Sequence, residues 1–198
     1  MKKIKLYFAV ILCSLTFVLY SQQDRATIIF KDSTSVDGLA KITKSGEVKF
    51  RKKLGAKKLT YDFKDLLSVK IVDNRGLHRY YQINVNGENK PKIVELVIQG
   101  KAFLYKVTIS EYTPIGDFGV NNSITSSSIK VEKNEYFLRL KGENYAYEIT
   151  DFKHEKDFRS FILEKFSDCT EIRQKFKEEG IIQENILDIV NIYNSCKK

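Results

Sequence analysis

The spacing of apolar residues changes once along this chain, near Asp151. Before that point, short runs of alternating apolar and polar residues are separated by turn signals such as Asp32-Ser33-Thr34-Ser35 and Ser45-Gly46. A period of two is typical of half-buried strands. After Asp151 the apolar residues recur at helical spacing. The sequence therefore predicts an α+β fold, in which an antiparallel β-rich body is followed by a C-terminal helical hairpin.

Residues 22–150 form the predicted β-rich body, with a first segment at 25–72 and a second at 77–149. A long polar stretch at 111–128, which contains Pro114, favours a mobile loop, with a binding loop as the alternative. The predicted strands are 26–31, 39–44, 47–51, 58–63, 65–71, 77–85, 92–99, 101–109, 128–133, 136–141 and 144–149.

The first segment resembles the small five-stranded barrels of the SH3-like and Sm-like kind. Its first strand enters the turn at Asp32, Gly38 begins a bent second strand, and Asp65-Leu66-Leu67-Ser68-Val69 leads into the last strand. The resemblance covers residues 25–72 and implies a fold rather than a function.

Residues 151–198 form the predicted tail, with helices at 152–166, 170–179 and 183–195. Asp168 and Glu171 have the spacing of a capping box for the second helix, and Gly180 stands where a C-cap glycine belongs. Cys169 at the start of the second helix and Cys196 at the end of the third fit a disulfide-linked antiparallel hairpin. Two unpaired buried thiols are the alternative.

The first 21 residues have the pattern of a secretory signal peptide. Three lysines precede an apolar run of about fifteen residues, which is short for a bilayer-spanning helix of about twenty. Ser21 then precedes a polar sequence. We expect cleavage after Ser21 and a secreted or periplasmic protein, with an uncleaved anchor as the alternative.

The tail resembles that of uncharacterised secreted and envelope proteins of flavobacteria and their relatives. The matching residues are Phe166-Ser167-Asp168-Cys169 and the segment from Asp188 to Cys196, with a weaker likeness at 61–71. This resemblance implies an envelope or secreted location and no assigned activity. In the same group of bacteria, Asp32-Ser33-Thr34 resembles the short acceptor sequence of protein O-glycosylation.

Positive charge is concentrated before the tail. Residues 22–150 hold 22 Lys and Arg against 15 Asp and Glu, whereas residues 151–198 hold 9 against 10. Six basic residues cluster around Gly55, where a hairpin tip carrying them would suit a polyanion. A solvated loop whose like charges prevent edge-to-edge aggregation is the alternative. The six residues are Lys49, Arg51, Lys52, Lys53, Lys57 and Lys58.

No motif in the chain identifies a reaction, a metal site or a cofactor. The two histidines, His78 and His154, have neither the spacing of metal ligands nor a local catalytic partner in sequence. The sequence therefore favours a non-enzymatic binding or structural protein of the cell envelope whose partner is an envelope protein. A binder of lipopolysaccharide or acidic glycan and a small envelope enzyme are the alternatives. A membrane surface is a further candidate partner, and export disfavours nucleic acid.

Overall fold

The computed structural model describes residues 24–115, 127–178 and 185–196. The predicted signal peptide, the centre of the 111–128 segment and the Gly180 cap lie outside them. The α+β prediction is confirmed: the described residues contain ten strands, mostly antiparallel, followed by three helices. The chain divides between Tyr81 and Gln82 into two compact units.

The elements are β1 (Asp24–Phe30), β2 (Ser35–Ile42), β3 (Glu47–Arg51), β4 (Leu59–Asp62), β5 (Leu66–Asp73), β6 (Gly76–Val85), β7 (Lys92–Ile98), β8 (Ala102–Ile115), β9 (Ser127–Leu140), β10 (Tyr145–Glu148), α1 (Glu155–Lys165), α2 (Thr170–Glu178) and α3 (Ile186–Ser195).

The first unit pairs its strands antiparallel in the order β6-β5-β1-β2-β3-β4. A short 3₁₀ turn, Phe63–Asp65, joins β4 to β5, and its Phe63 side chain is buried. The inward-facing residues of successive strands, among them Ile28, Val48 and Val69, are fully buried. This alternation of buried and exposed positions follows from the period-two pattern of the sequence.

Strand β2 pairs with both of its neighbouring strands close to Gly38. Its first part pairs with β1 over Ser35–Ala40 and its second part pairs with β3 over Leu39–Ile42. A Cβ atom on Gly38 would lie 2.3 Å from the carbonyl oxygen of Arg51 and 2.5 Å from the ring of Phe50. Only glycine therefore lets β2 approach β3 this closely.

In the second unit, β8 and β9 form a hairpin of two fourteen-residue strands. β7 and β10 flank it, and β10 also pairs in parallel with the end of β6 at Asn84 and Val85. The predicted break between 128–133 and 136–141 is wrong, because β9 is continuous. The predicted loop at 111–128 is also wrong at both ends, because Glu111–Ile115 and Ser127–Ser128 are paired strand.

The helices pack on the strands of the second unit and share one core with them. Phe158, Ile162 and Phe166 of the first helical segment join Leu104 and Leu138 in this core. α1 begins at Glu155 rather than at Phe152. The rings of Phe152 and Phe161 are nevertheless 5.3 Å apart, so Phe152 packs against the helix without belonging to it.

Cys169 and Cys196 form a disulfide, with their Cα atoms 5.9 Å apart, and both residues are buried in the core. The predicted capping box is displaced. α2 begins at Thr170, which places Cys169 rather than Asp168 next to the helix. The Tyr193 hydroxyl instead donates a hydrogen bond to the Asp168 carboxylate. Burial is the largest cause that raises the pKa of Tyr193, and the Asp168 carboxylate raises it further.

Candidate functional site

The six basic residues that the sequence singles out lie on the β3–β4 hairpin of the first unit, but they face different surroundings. Lys49 and Arg51 alternate with the buried Val48 and Phe50 along β3, on the outer face of the sheet. The other four lie in the loop that joins the two strands and are exposed. They are Lys52, Lys53, Lys57 and Lys58.

The loop turns at Gly55, whose positive φ of 80° favours glycine. The amide of Ala56 donates to the carbonyl of Lys53 at 3.0 Å and closes the turn. Lys52, Lys53 and Leu54 line a groove on the first unit, and Lys57 and Lys58 are not among its lining residues. The structure therefore divides the six predicted residues into three pairs. Lys49 and Arg51 lie on β3, Lys52 and Lys53 line the groove, and Lys57 and Lys58 lie in the loop outside the lining.

This groove, here called the basic groove, has a volume of about 590 Å³. Its cationic lining residues are Arg25 of β1, Lys70 of β5, and Lys52 and Lys53 of the loop. Its apolar lining residues include Leu39, Leu54, Val72 and Leu77. The lining of the basic groove therefore contains four cations, a set of aliphatic side chains and a single carboxylate, that of Asp37.

Strand register explains how these residues come together. One row across the outer face pairs Leu77 of β6 with Val72 of β5, and Val72 with Arg25 of β1. The same row continues from Arg25 to Leu39 of β2 and from Leu39 to Arg51 of β3. Directly opposed side chains in an antiparallel pair lie about 5 Å apart. The row therefore mixes three aliphatic and two cationic side chains over about 20 Å.

A second row runs beside the first and contains two cations, one hydroxyl and one carboxylate. Arg79 of β6 pairs with Lys70 of β5, and Lys70 pairs with Thr27 of β1, which pairs with Asp37. The Thr27 hydroxyl donates to the Asp37 carboxylate at 2.6 Å. The one acidic lining group of the basic groove is thus bound by a neutral neighbour.

Within the described residues, none of the four cations of the basic groove forms a salt bridge. The positive excess is local: residues 24–81 hold 14 Lys and Arg against 7 Asp and Glu, while residues 82–150 hold 8 of each. The net charge of the β-rich body thus lies in the first unit. Like charges left unpaired on one face create a positive potential there.

Three lysines of the second unit lie beside carboxylates. Lys92 Nζ lies 2.8 Å from Glu88, Lys106 Nζ lies 3.4 Å from Glu95, and Lys165 Nζ lies 2.7 Å from Glu143. Each of these charges is balanced by a partner within the unit, whereas the four cations of the basic groove have no carboxylate at salt-bridge distance among the described residues.

A second groove, of about 670 Å³, lies within the second unit and is rich in carboxylates, including Glu148, Asp151 and Glu164. Burial raises the pKa of the Glu148 carboxyl, Lys92 opposes this shift, and neighbouring carboxylates add to it. Lys165 Nζ lies 3.8 Å from the centroid of the Tyr147 ring, so a cation of the chain already occupies the aromatic part of this groove.

Neither histidine is among the lining residues of the groove in its own unit. His78 Nε2 is 3.1 Å from an oxygen of Asp73, a carboxylate neighbour that the sequence reading did not anticipate. Asp73 also accepts the backbone N–H of Arg75 at 2.7 Å, as in a turn between β5 and β6. His154 is the exposed N-cap residue of α1 and not part of the helix surface. Across the described ranges, no group of His, Cys, Asp and Glu could hold a metal ion.

Arg25 and Lys70 are the groove residues that sequence reasoning missed. They stand 45 positions apart and meet only because β1 pairs with β5. The usable signal was strand alternation for Lys70, which stands between the buried Val69 and Ile71 of a predicted strand. Arg25 directly precedes the predicted strand 26–31, and the observed β1 begins one residue before it, at Asp24. The Asp32-Ser33-Thr34 acceptor pattern is exposed at the β1–β2 turn, where the Asp32 carboxylate accepts from the Thr34 hydroxyl at 2.6 Å.

No family model, curated protein or solved structure matches this chain. Among the helices that the structure describes, none has the length and apolar character needed to span a bilayer.

Proposed function

We propose that this protein is a non-enzymatic binding protein of the bacterial cell envelope that holds a polyanionic envelope component in the basic groove of its first unit. Lipopolysaccharide and acidic glycans are the ligands of this class. The single observation that supports the proposal most is the set of four cations around one groove, none of which forms a salt bridge with a described residue: Arg25, Lys52, Lys53 and Lys70.

The proposed compartment rests on two features. The first 21 residues have the pattern of an export signal, and the Cys169–Cys196 disulfide is compatible with an oxidising compartment. Outside the cytoplasm, phosphorylated lipids and acidic glycans are the abundant polyanions. A basic, exposed groove suits them by charge.

The test is binding of the purified protein to lipopolysaccharide and to heparin, measured at several salt concentrations. We expect binding that weakens steeply with salt, because the contacts are between exposed charges. The double variant Lys52→Ser/Lys53→Ser should bind at least tenfold more weakly. The double variant Lys57→Ser/Lys58→Ser removes the same charge from the same loop but outside the groove, and it should lose much less.

Equal losses in the two double variants would mean that net charge alone drives binding, and the groove would be rejected as the site. Absence of binding to both probes would reject the proposal itself. Recovery of a stoichiometric envelope protein that survives salt able to release heparin would support the alternative function, a protein interaction module.

A further inference from the structure

We propose that the ligand of the basic groove is an anionic amphiphile, whose acyl chain lies on the aliphatic lining while its acidic head group meets the surrounding cations. This inference rests on the proposed function and makes it more specific. It chooses an acidic lipid over a purely polar acidic glycan.

The first support is the exposure of the aliphatic residues that line the groove. Leu54 is 69% exposed, Leu77 53% and Val72 48%, although all three are large apolar side chains. Leu54 in particular stands in a loop with lysines on both sides of it in sequence. Exposed apolar side chains that line one groove together are typical of ligand-binding and interaction sites.

The second support is the mixing of charge and apolar surface at the scale of single side chains. Arg25 lies directly between Val72 and Leu39 in the cross-strand row. Consider a bound molecule that pairs an anionic group with the Arg25 guanidinium and covers Val72 and Leu39 with apolar atoms. Such a molecule needs its anionic group within about 5 Å of an apolar group. Acidic lipids have this arrangement at the junction of head group and chain, and polysaccharides do not.

The third support is size and charge. The volume of about 590 Å³ lies in the usual range for small-molecule sites. Lys52, Lys53 and Lys70 can surround a head group carrying more than one negative charge. The single carboxylate, Asp37, accepts from Thr27 and lies among more numerous cations. One groove thus offers cations to the acidic head group and aliphatic side chains to the acyl chain.

The experiment compares ligands that separate charge from chain length, using the full chain. The probes are hexyl, octyl and decyl phosphate below their critical micelle concentrations, with inorganic phosphate, heparin and decyl maltoside as references. We expect affinity to rise about two- to fourfold for each added methylene, because each buried methylene adds hydrophobic free energy. Decyl maltoside, which has the chain without the charge, should bind more weakly than decyl phosphate.

Two variants test the placement of the chain. Leu54→Ser/Leu77→Ser should flatten the dependence of alkyl phosphate affinity on chain length to below about 1.5-fold per methylene. Leu67→Ser is the matched control, because Leu67 is 51% exposed in the same unit and does not line the groove. All three side chains are exposed, so these substitutions spare the core.

The outcomes separate the two proposals. Heparin binding with no dependence on alkyl length would overturn the acyl-chain inference and leave the proposed function in place. Failure of heparin, lipopolysaccharide and every alkyl phosphate to bind would overturn both. Equal affinity for decyl maltoside and decyl phosphate would show an apolar site without anion selectivity and would also overturn the inference.

Discussion

The side-chain amide of Asn194 makes with Ala102 the two hydrogen bonds that a neighbouring strand would make. Its Oδ1 atom accepts from the Ala102 N–H at 2.8 Å, and its Nδ2 atom donates to the Ala102 carbonyl at 3.1 Å. Ala102 is fully buried at the start of β8. One side chain of α3 thereby fixes the last helix against the sheet of the second unit.

Replacing Asn194 by Ala should lower the free energy of unfolding by about 2–4 kcal/mol, because two backbone groups shielded from water lose their partners. Urea unfolding followed by circular dichroism measures the change. Asn191→Ala is the matched control, since Asn191 is exposed on the same helix, and it should be nearly neutral. A similar loss in both variants would show that the bonds to Ala102 do not anchor the helix.

Gly38→Ala should destabilise the first unit by about 1–3 kcal/mol. The added Cβ meets the backbone oxygen of Arg51, which cannot move without disturbing the pairing of β2 with β3. The measurement is urea unfolding monitored by tyrosine fluorescence, since Tyr61 packs on Phe50, whose ring lies against Gly38. An unchanged midpoint would mean that β2 and β3 accommodate the added methyl group without cost.

Removing the disulfide with Cys169→Ala/Cys196→Ala should cost about 3 kcal/mol, because the link closes a loop of 27 residues in the unfolded chain. Comparing unfolding curves of the wild-type protein with and without reductant gives the same quantity. Both cysteines are buried, so we also expect slow alkylation of the native protein even under reducing conditions. Equal stability of the oxidised and reduced protein would contradict this prediction.

Glu148 makes the stability of the protein depend on pH. Burial raises the pKa of its carboxyl, and neighbouring carboxylates add to the effect despite Lys92. Between the ordinary glutamate pKa and the raised folded-state value, the folded protein keeps a proton that the unfolded chain loses. Its contribution to stability therefore falls as pH rises through that window.

Glu148→Gln should remove this dependence and stabilise the protein above the window, by less than about 1 kcal/mol because the side chain remains partly exposed. Thermal unfolding between pH 4 and pH 8, a range chosen around the ordinary glutamate pKa, is the measurement. Glu111→Gln, at an exposed position of β8, provides the control and should leave the profile unchanged. A loss of stability in Glu148→Gln at neutral pH would show that attraction to Lys92 dominates.

Periodicity predicted most elements of this fold because period two and period 3.6 are local properties of the sequence. Periodicity failed at Asn134, which lies in the gap between the predicted strands 128–133 and 136–141. In the structure its side-chain oxygen accepts from the Thr108 hydroxyl of β8 at 2.8 Å, directly across the ladder. A cross-strand partner thus replaces the local turn that asparagine otherwise favours, and β9 continues.

The sequence predicted only those residues of the candidate site that are close together along the chain. Lys52 and Lys53 were found because they are close in sequence. Arg25 and Lys70 were not, because the pairing of β1 with β5 is a long-range property that neither charge nor spacing reveals. The apolar half of the groove was also missed, because single exposed residues such as Val72 and Leu77 become a surface only when β5 and β6 stand side by side.

The way the basic groove is assembled has a consequence for how the protein folds. Its lining residues come from four strands and the β3–β4 loop and lie together only after those strands have paired, so an unfolded chain offers no such site to a ligand. A molecule that binds the native state alone acts as a thermodynamic chaperone, and at one hundred times its dissociation constant it adds about 2.7 kcal/mol to the free energy of unfolding. Under the proposed function, the folded state would therefore be most stable wherever the ligand of the basic groove is abundant.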